Sequence, residues 1–137
     1  LFLALIIEER LYLKTDPHNR ARFEAAGCEP FRYEARGKTQ TISYFSAPDD
    51  AMESPVLMQP WARLAFEAAL RAFNRAVLTV PEVEQCHMMA SSFDYLLKVR
   101  TSDIQSYRRV LGETISTLPH VASTSTYVAM EAVKEVF

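Results

Sequence analysis

Glycine is scarce in this chain. There are three, Gly27, Gly37 and Gly112, among 137 residues. None falls in a pattern that could cradle a phosphate or form a nucleophile elbow. Cysteine is scarcer, with Cys28 and Cys86 alone. Two cysteines make no disulfide framework and read as reduced, mostly buried thiols. His18, His87 and His120 have no partners at ligand spacing, and Cys86 and His87, adjacent on a strand, point to opposite faces. No metal, cofactor or catalytic group is therefore expected, and the chain does not read as an enzyme. A charge excess of either sign is also missing. Residues 1–72 hold 9 Lys/Arg against 10 Asp/Glu, and residues 73–137 hold 6 against 7. Neither half has the basic composition of a nucleic-acid binder. The stretch from Arg10 to Lys38 leans positive, but interleaved acids make it a solvated face.

Long apolar runs are absent too. Residues 1–7 are apolar, and Glu8-Glu9 close them well short of the roughly 18–20 residues a membrane span needs. That segment also lacks the basic lead and cleavage site of a signal peptide. A cytoplasmic protein without membrane contact is the expectation. There is no initiator methionine, and an opening inside an apolar run reads as a cut through a strand.

What remains is an ordinary globular composition, 49% hydrophobic and 23% charged, at the length of one domain. Residues 2–7 and 10–14 read as strands around Glu8-Glu9. Asp16-Pro17 reads as a helix start, with Gly27 as its stop. Residues 31–35 and 39–45 read as a hairpin around Arg36-Gly37. Residues 46–54 read as loop, with Ser54-Pro55 opening at most a short turn. A long helix over about 60–80 then begins at Pro60, with Trp61, Leu64, Ala68, Phe73 and Val77 at helical spacing. Its Trp61, Phe66 and Phe73 stripe suits a core, or a partner surface if left open. Residues 83–90 and 93–100 read as strands around Ser91-Ser92, Asp103 to Pro119 as a helix, and 121–130 as a Thr/Val/Tyr-rich strand. The class is α+β with antiparallel sheets. Residues 60–130 run α-β-β-α-β, one strand short of the ferredoxin-like β-α-β-β-α-β unit.

Two family resemblances account for the two halves. Leu11-Tyr12-Leu13-Lys14-Thr15-Asp16, Phe23 to Phe31, Tyr33 and Pro60-Trp61-Ala62-Arg63 resemble the N-terminal domain of the TfoX/Sxy family, linked to regulation of competence genes. Pro81 to His87, Phe93 to Arg100, Tyr107 to Glu113, Leu118-Pro119 and Thr124 to Val128 look like the effector-binding domain of Lrp/AsnC regulators. The expected division is a partial TfoX-like domain, 1–72, and a partial ferredoxin-like effector domain, 73–137. Each lacks its own first strand, and the long helix spans the joint. In the complete ferredoxin-like sheet the first strand is central, so residues 39–45 are expected to fill its place beside 121–130.

The second resemblance implies a small amino acid bound between subunits. The family's ligand-responsive positions fall on Met88, Asp94, Ile104, Tyr127, Val128 and Ala129. Asp94 offers an acceptor for an ammonium group, and its neighbours an apolar wall. The implied function is effector sensing and oligomerisation of Lrp/AsnC type, without a helix-turn-helix and so without direct DNA binding. The implied partners are further copies, an amino-acid effector and full-length Lrp-like subunits. The alternatives are a TfoX-like protein-interaction module and a fused fragment with no selected function.

Overall fold

The structure, a computed structural model, describes residues 3–90 and 94–136. Chain reversals in its first part are set by backbone that bends the left-handed way. Glu8 and Glu9 have φ of 50° and 66°, closing a tight hairpin between β1 (Ala4–Ile7) and β2 (Arg10–Lys14). Arg36 and Gly37, with φ of 52° and 73°, do the same between β3 (Pro30–Ala35) and β4 (Lys38–Ser46). The four strands form one antiparallel sheet in the order β1-β2-β4-β3. Phe2, expected to open the first strand, lies outside the described residues.

The helix expected from Asp16-Pro17 begins later, as α1 (Arg20–Ala25). The reason is local. The Asp16 carboxylate accepts from the amides of His18 and Asn19, and the Asn19 side chain accepts in turn from the Asp16 amide. These reciprocal bonds hold residues 16–19 as a turn. The helix then stops at Gly27, whose φ of 79° completes the expected C-terminal cap. Phe23 drops from α1 onto the sheet, is fully buried, and packs against Phe45 and edge-on to Trp61. Burying such a side chain is worth about 2–3 kcal/mol.

The long helix, α2 (Pro55–Val77), starts five residues earlier than expected and ends three earlier. Ser54 and Pro55 open the helix itself. The Ser54 hydroxyl accepts from the Leu57 amide at 3.2 Å, and Pro55 occupies the first helical position. Pro60 is an exposed interior residue that removes one hydrogen bond from the solvent side. The helix is about 35 Å long and serves two cores. Met58, Trp61, Leu64 and Ala65 pack on the first sheet with Leu13, Phe23 and Phe45. Phe73, Ala76 and Val77 pack with Val80 and Leu118 under a second sheet. The Trp61 and Phe73 stripe is thus core.

That second sheet pairs β5 (Val83–Met88) with β6 (Tyr95–Val99). The turn expected at Ser91-Ser92, with Phe93, lies outside the described residues. Asp103 caps α3 (Ile104–Arg109) as expected, accepting from the Ser106 amide at 2.7 Å. The winding then loosens to π-helical geometry over Val110–Ile115. The α+β class and antiparallel pairing hold. The strand expected over 121–130 does not: residues 121–132 have no regular secondary structure. Nor do residues 39–45 lie beside them. β4 is committed to the first sheet instead, paired with β3 along one edge and with β2 at Tyr44, Phe45 and Ser46 on the other.

Polar contacts between distant segments fasten the first part to α2 and to the chain beyond it. Asp16, 6% exposed, takes a two-point ion pair from Arg71, at 2.6 and 3.0 Å. The Asn19 amide group donates to the Leu64 carbonyl at 3.0 Å. Tyr44, with the Lys14 ammonium over its ring, meets His120 across a 3.4 Å hydroxyl–Nδ1 contact. Burial by itself raises the Asp16 carboxyl. The Arg71 hydrogen bond and charge, with the Asn19 and His18 amides, outweigh it and hold the group below the usual carboxylate range. Burial and then the Lys14 charge push His120 below the ordinary histidine value.

Arg71→Ala leaves Asp16 buried without its cation and should cost about 3 kcal/mol in urea denaturation. The stabilisation from Asp16 is complete above the ordinary aspartate value of about 4 and is lost as pH falls through the depressed folded-state value. Arg71→Ala should flatten that acid limb. The Thr15 hydroxyl is buried with no hydrogen-bond partner among the described residues. Thr15→Val should therefore raise stability, by about 1 kcal/mol. His120 favours its neutral form in the fold, so its contribution is present above about pH 6.5 and falls away below it. An NMR titration should place its midpoint below that of a free histidine.

Candidate functional site

The six effector positions divide into two groups along the β5–β6 hairpin. Met88 closes β5 opposite Tyr95, and Asp94 immediately precedes β6, its carbonyl accepting from the Met89 amide at 2.8 Å. Met88 and Asp94 therefore share the turn end of the hairpin. Ile104 opens α3, beyond the other end of β6, a strand length of about 16 Å away. Tyr127, Val128 and Ala129 lie in the irregular C-terminal segment. The hydroxyl contact between Tyr107 and Thr126 holds the start of that segment against α3, one turn from Ile104. A single copy thus brings Met88 to Asp94 and ties Thr126, next to the 127–129 segment, to α3 through Tyr107, but does not join the two groups.

Exposure sharpens this division. Met88 is 57% exposed, Ile104 59%, Tyr127 91% and Val128 69%, and Asp94 and Ala129 are also exposed. Side chains so open to water cannot by themselves enclose a small ligand, which needs most of its surface covered. A polar groove of about 480 Å³ between the open end of the β5–β6 hairpin and the helical segment from α3 onward is lined by Glu82, Arg100, Arg109 and Glu113 among others, and contains none of the six.

Other chemistry expected to be missing can be placed residue by residue. Cys86 turns inward to the second core while His87 is exposed, as alternation on β5 requires. Burial raises both the Cys28 and the Cys86 thiol, which leaves them poor nucleophiles. Among the described residues no group of three His, Cys, Asp or Glu side chains could hold a metal ion. Among the same residues no helix is long and apolar enough to cross a membrane.

Sequence reasoning missed the residues that tie the two halves together. Asp16 was expected only as a helix cap, and its partner Arg71 is 55 positions away. Tyr44 and His120 are 76 apart. No periodicity connects such pairs. The burial of Asp16, which obliges its carboxylate to find a cation or several donors, is visible only in the fold.

Comparison with known proteins separates the halves in the same way. Residues 1–69 match the TfoX N-terminal domain, and residues 63–136 match the Lrp/AsnC ligand binding domain. The two spans overlap at 63–69, inside α2. The proline dehydrogenase transcriptional activator of Rhizobium radiobacter is 67% identical over 69 residues, which is 50% of this chain and 44% of that protein. Its counterpart in Rhodobacter capsulatus is 62% identical over 69 residues, 50% of this chain and 45% of its own length. The leucine-responsive regulatory protein of Escherichia coli (strain K12) is 51% identical over 63 residues, 46% of this chain and 38% of that protein. The chain thus spans less than half the length of these relatives. They are transcriptional regulators, and the matched domain is a regulatory ligand-binding domain rather than an enzyme family. The chain belongs to two families at once, through residues 1–69 to the TfoX N-terminal domain and through residues 63–136 to the Lrp/AsnC ligand-binding domain.

Proposed function

We propose that this chain is an effector-sensing and oligomerisation unit of Lrp/AsnC type, which binds a small amino acid between subunits. The exposure of all six effector positions carries this reading. Met88 with Asp94, and Ile104 with residues 127–129, form two open half-sites that one copy leaves uncovered. A second copy can supply the missing wall. The Asp94 carboxylate accepts the ligand ammonium, and Met88, Ile104 and Val128 face its side chain. The two matched families together span residues 1–136, which supports the reading that these residues carry no helix-turn-helix and do not bind DNA directly. An influence on transcription then passes through association, including association with full-length Lrp-like subunits. We place the working division at residues 72 and 73, within α2.

A second reading rests on the first half. Residues 3–54 and the start of α2 build a four-stranded sheet with its own core around Leu13, Phe23 and Phe45. This supports a TfoX-like protein-interaction module. Affinity capture separates the two: full-length Lrp-like subunits favour the first, unrelated regulators the second.

Isothermal titration of the folded chain with leucine and with proline should release or absorb heat for at least one of them. Asp94→Ala removes a charge-assisted hydrogen bond and should weaken that binding about ten- to hundredfold. Silence toward a full amino-acid panel, or binding indifferent to Asp94→Ala, would sink this assignment.

A further inference from the structure

The β5–β6 sheet is unfinished. Two strands alone are marginal in water, and this pair is held by packing one face on α2. Val83, Cys86, Tyr95 and Leu97 make that face, against Phe73, Val77 and Val80. Among the described residues β6 pairs with β5 alone, so its outer edge presents a row of free amides and carbonyls. Leu96, 57% exposed, stands on the face turned away from α2.

The same molecule carries an unpaired strand sequence. In residues 124–130, Thr124, Thr126, Val128 and Met130 alternate with Ser125, Tyr127 and Ala129, a β-prone composition. The segment has no regular structure, and Tyr127, Val128 and Met130 are 91%, 69% and 94% exposed. Free edge and free strand cannot simply combine within one copy. The segment follows β6 through the α3 crossover, so its natural course is parallel to β6. In the ferredoxin-like sheet one antiparallel strand separates these two positions. The strand that precedes α2, β4, lies between β2 and β3 in the first sheet, apart from β5 and β6, and does not fill it.

We propose that the filler is residues 124–130 of a second copy. A two-fold axis normal to the sheet reverses the direction of every strand of the partner. The partner's segment then runs antiparallel to β6 on one side and to this copy's own segment on the other. The exchange is reciprocal, and it closes. The product is one six-stranded antiparallel sheet: β5, β6, partner segment, own segment, partner β6, partner β5. No free inner edge remains. The exposed apolar side chains of both segments become central, and each Tyr127–Val128–Ala129 moves beside the partner's β6. This deepens the self-association reading above and rests on it.

Light scattering on the full chain across a wide concentration range is the test, with Val128→Pro and Val133→Pro beside the unaltered protein. Proline at 128 removes an amide and blocks strand pairing, in a segment whose removal from water the monomer fold does not require. The unaltered chain and Val133→Pro should show the mass of two copies. Val128→Pro should show one, with unchanged Trp61 fluorescence. Amide exchange over 124–130 should slow at least about tenfold at high concentration and not at low. A two-copy mass that survives Val128→Pro keeps self-association and overturns the exchanged strand. A single-copy mass for the unaltered chain at every concentration overturns both.

Discussion

Everything in this molecule is hung from α2. One helix of 23 residues supplies a wall to each of two cores, and the Asp16–Arg71 ion pair locks the first sheet to its second half. The lock is selective because of its burial. A surface pair of the same geometry would contribute little, but Asp16 sits 6% exposed with its carboxylate already accepting from two amides. Its remaining valence points at the one guanidinium that can meet it at two points. Arg71 lies beyond residue 69, where the TfoX match ends, so the pair crosses from one family's territory into the other's. The overlap of the two matches in α2 is therefore a physical join as well as a sequence one.

The two halves reach different degrees of completion around that helix. Among the described residues the first has four strands, each paired with its neighbour in the sheet. Among the described residues the second has two strands, a loosened helix and an irregular segment outside any sheet. Incompleteness places the chemistry on the outside. Effector positions that a closed domain would bury or half-cover stand in water here, and strand groups that need partners face outward. In the function proposed above, sensing and association draw on the same surface, so a ligand that fills one half-site would also change what the neighbouring copy meets.

Local chemistry was legible in the sequence, and its failures were informative. The turns at Glu8-Glu9 and Arg36-Gly37, the Gly27 stop and the Asp103 cap are short-range features, readable from adjacent residues. Pro60 misled because proline reads as a helix start, whereas at the exposed sixth position of α2 its lost bond and the crowding of its ring on the carbonyl of Val56 fall on the solvent side. The 121–130 strand failed for a different reason. Its composition is that of a strand, but a strand also needs an edge, and the edge is decided elsewhere in the chain. The placement of 39–45 failed likewise: its alternation fitted two sheets, and pairing with β2 and β3 gave it both neighbours at once. Of the six candidate effector positions, Met88 and Asp94 fall at the expected hairpin and Ile104 at the expected helix start, but Tyr127, Val128 and Ala129 were expected on a strand and lie in irregular chain.

The small residues of α2 have a mechanical meaning. Ala65, Ala68 and Ala69 are fully buried where the helix passes from one core to the other. With so little side chain between backbone and sheet, the helix has no cushion to roll on, and its rotational phase is fixed. Ala65 and Phe73 face directions about 80° apart around the axis. One residue more or fewer between them would turn the second half by about 100° and slide it about 1.5 Å. The junction therefore tolerates one phase. In that respect α2 works as a splint that sets the angle between the two sheets.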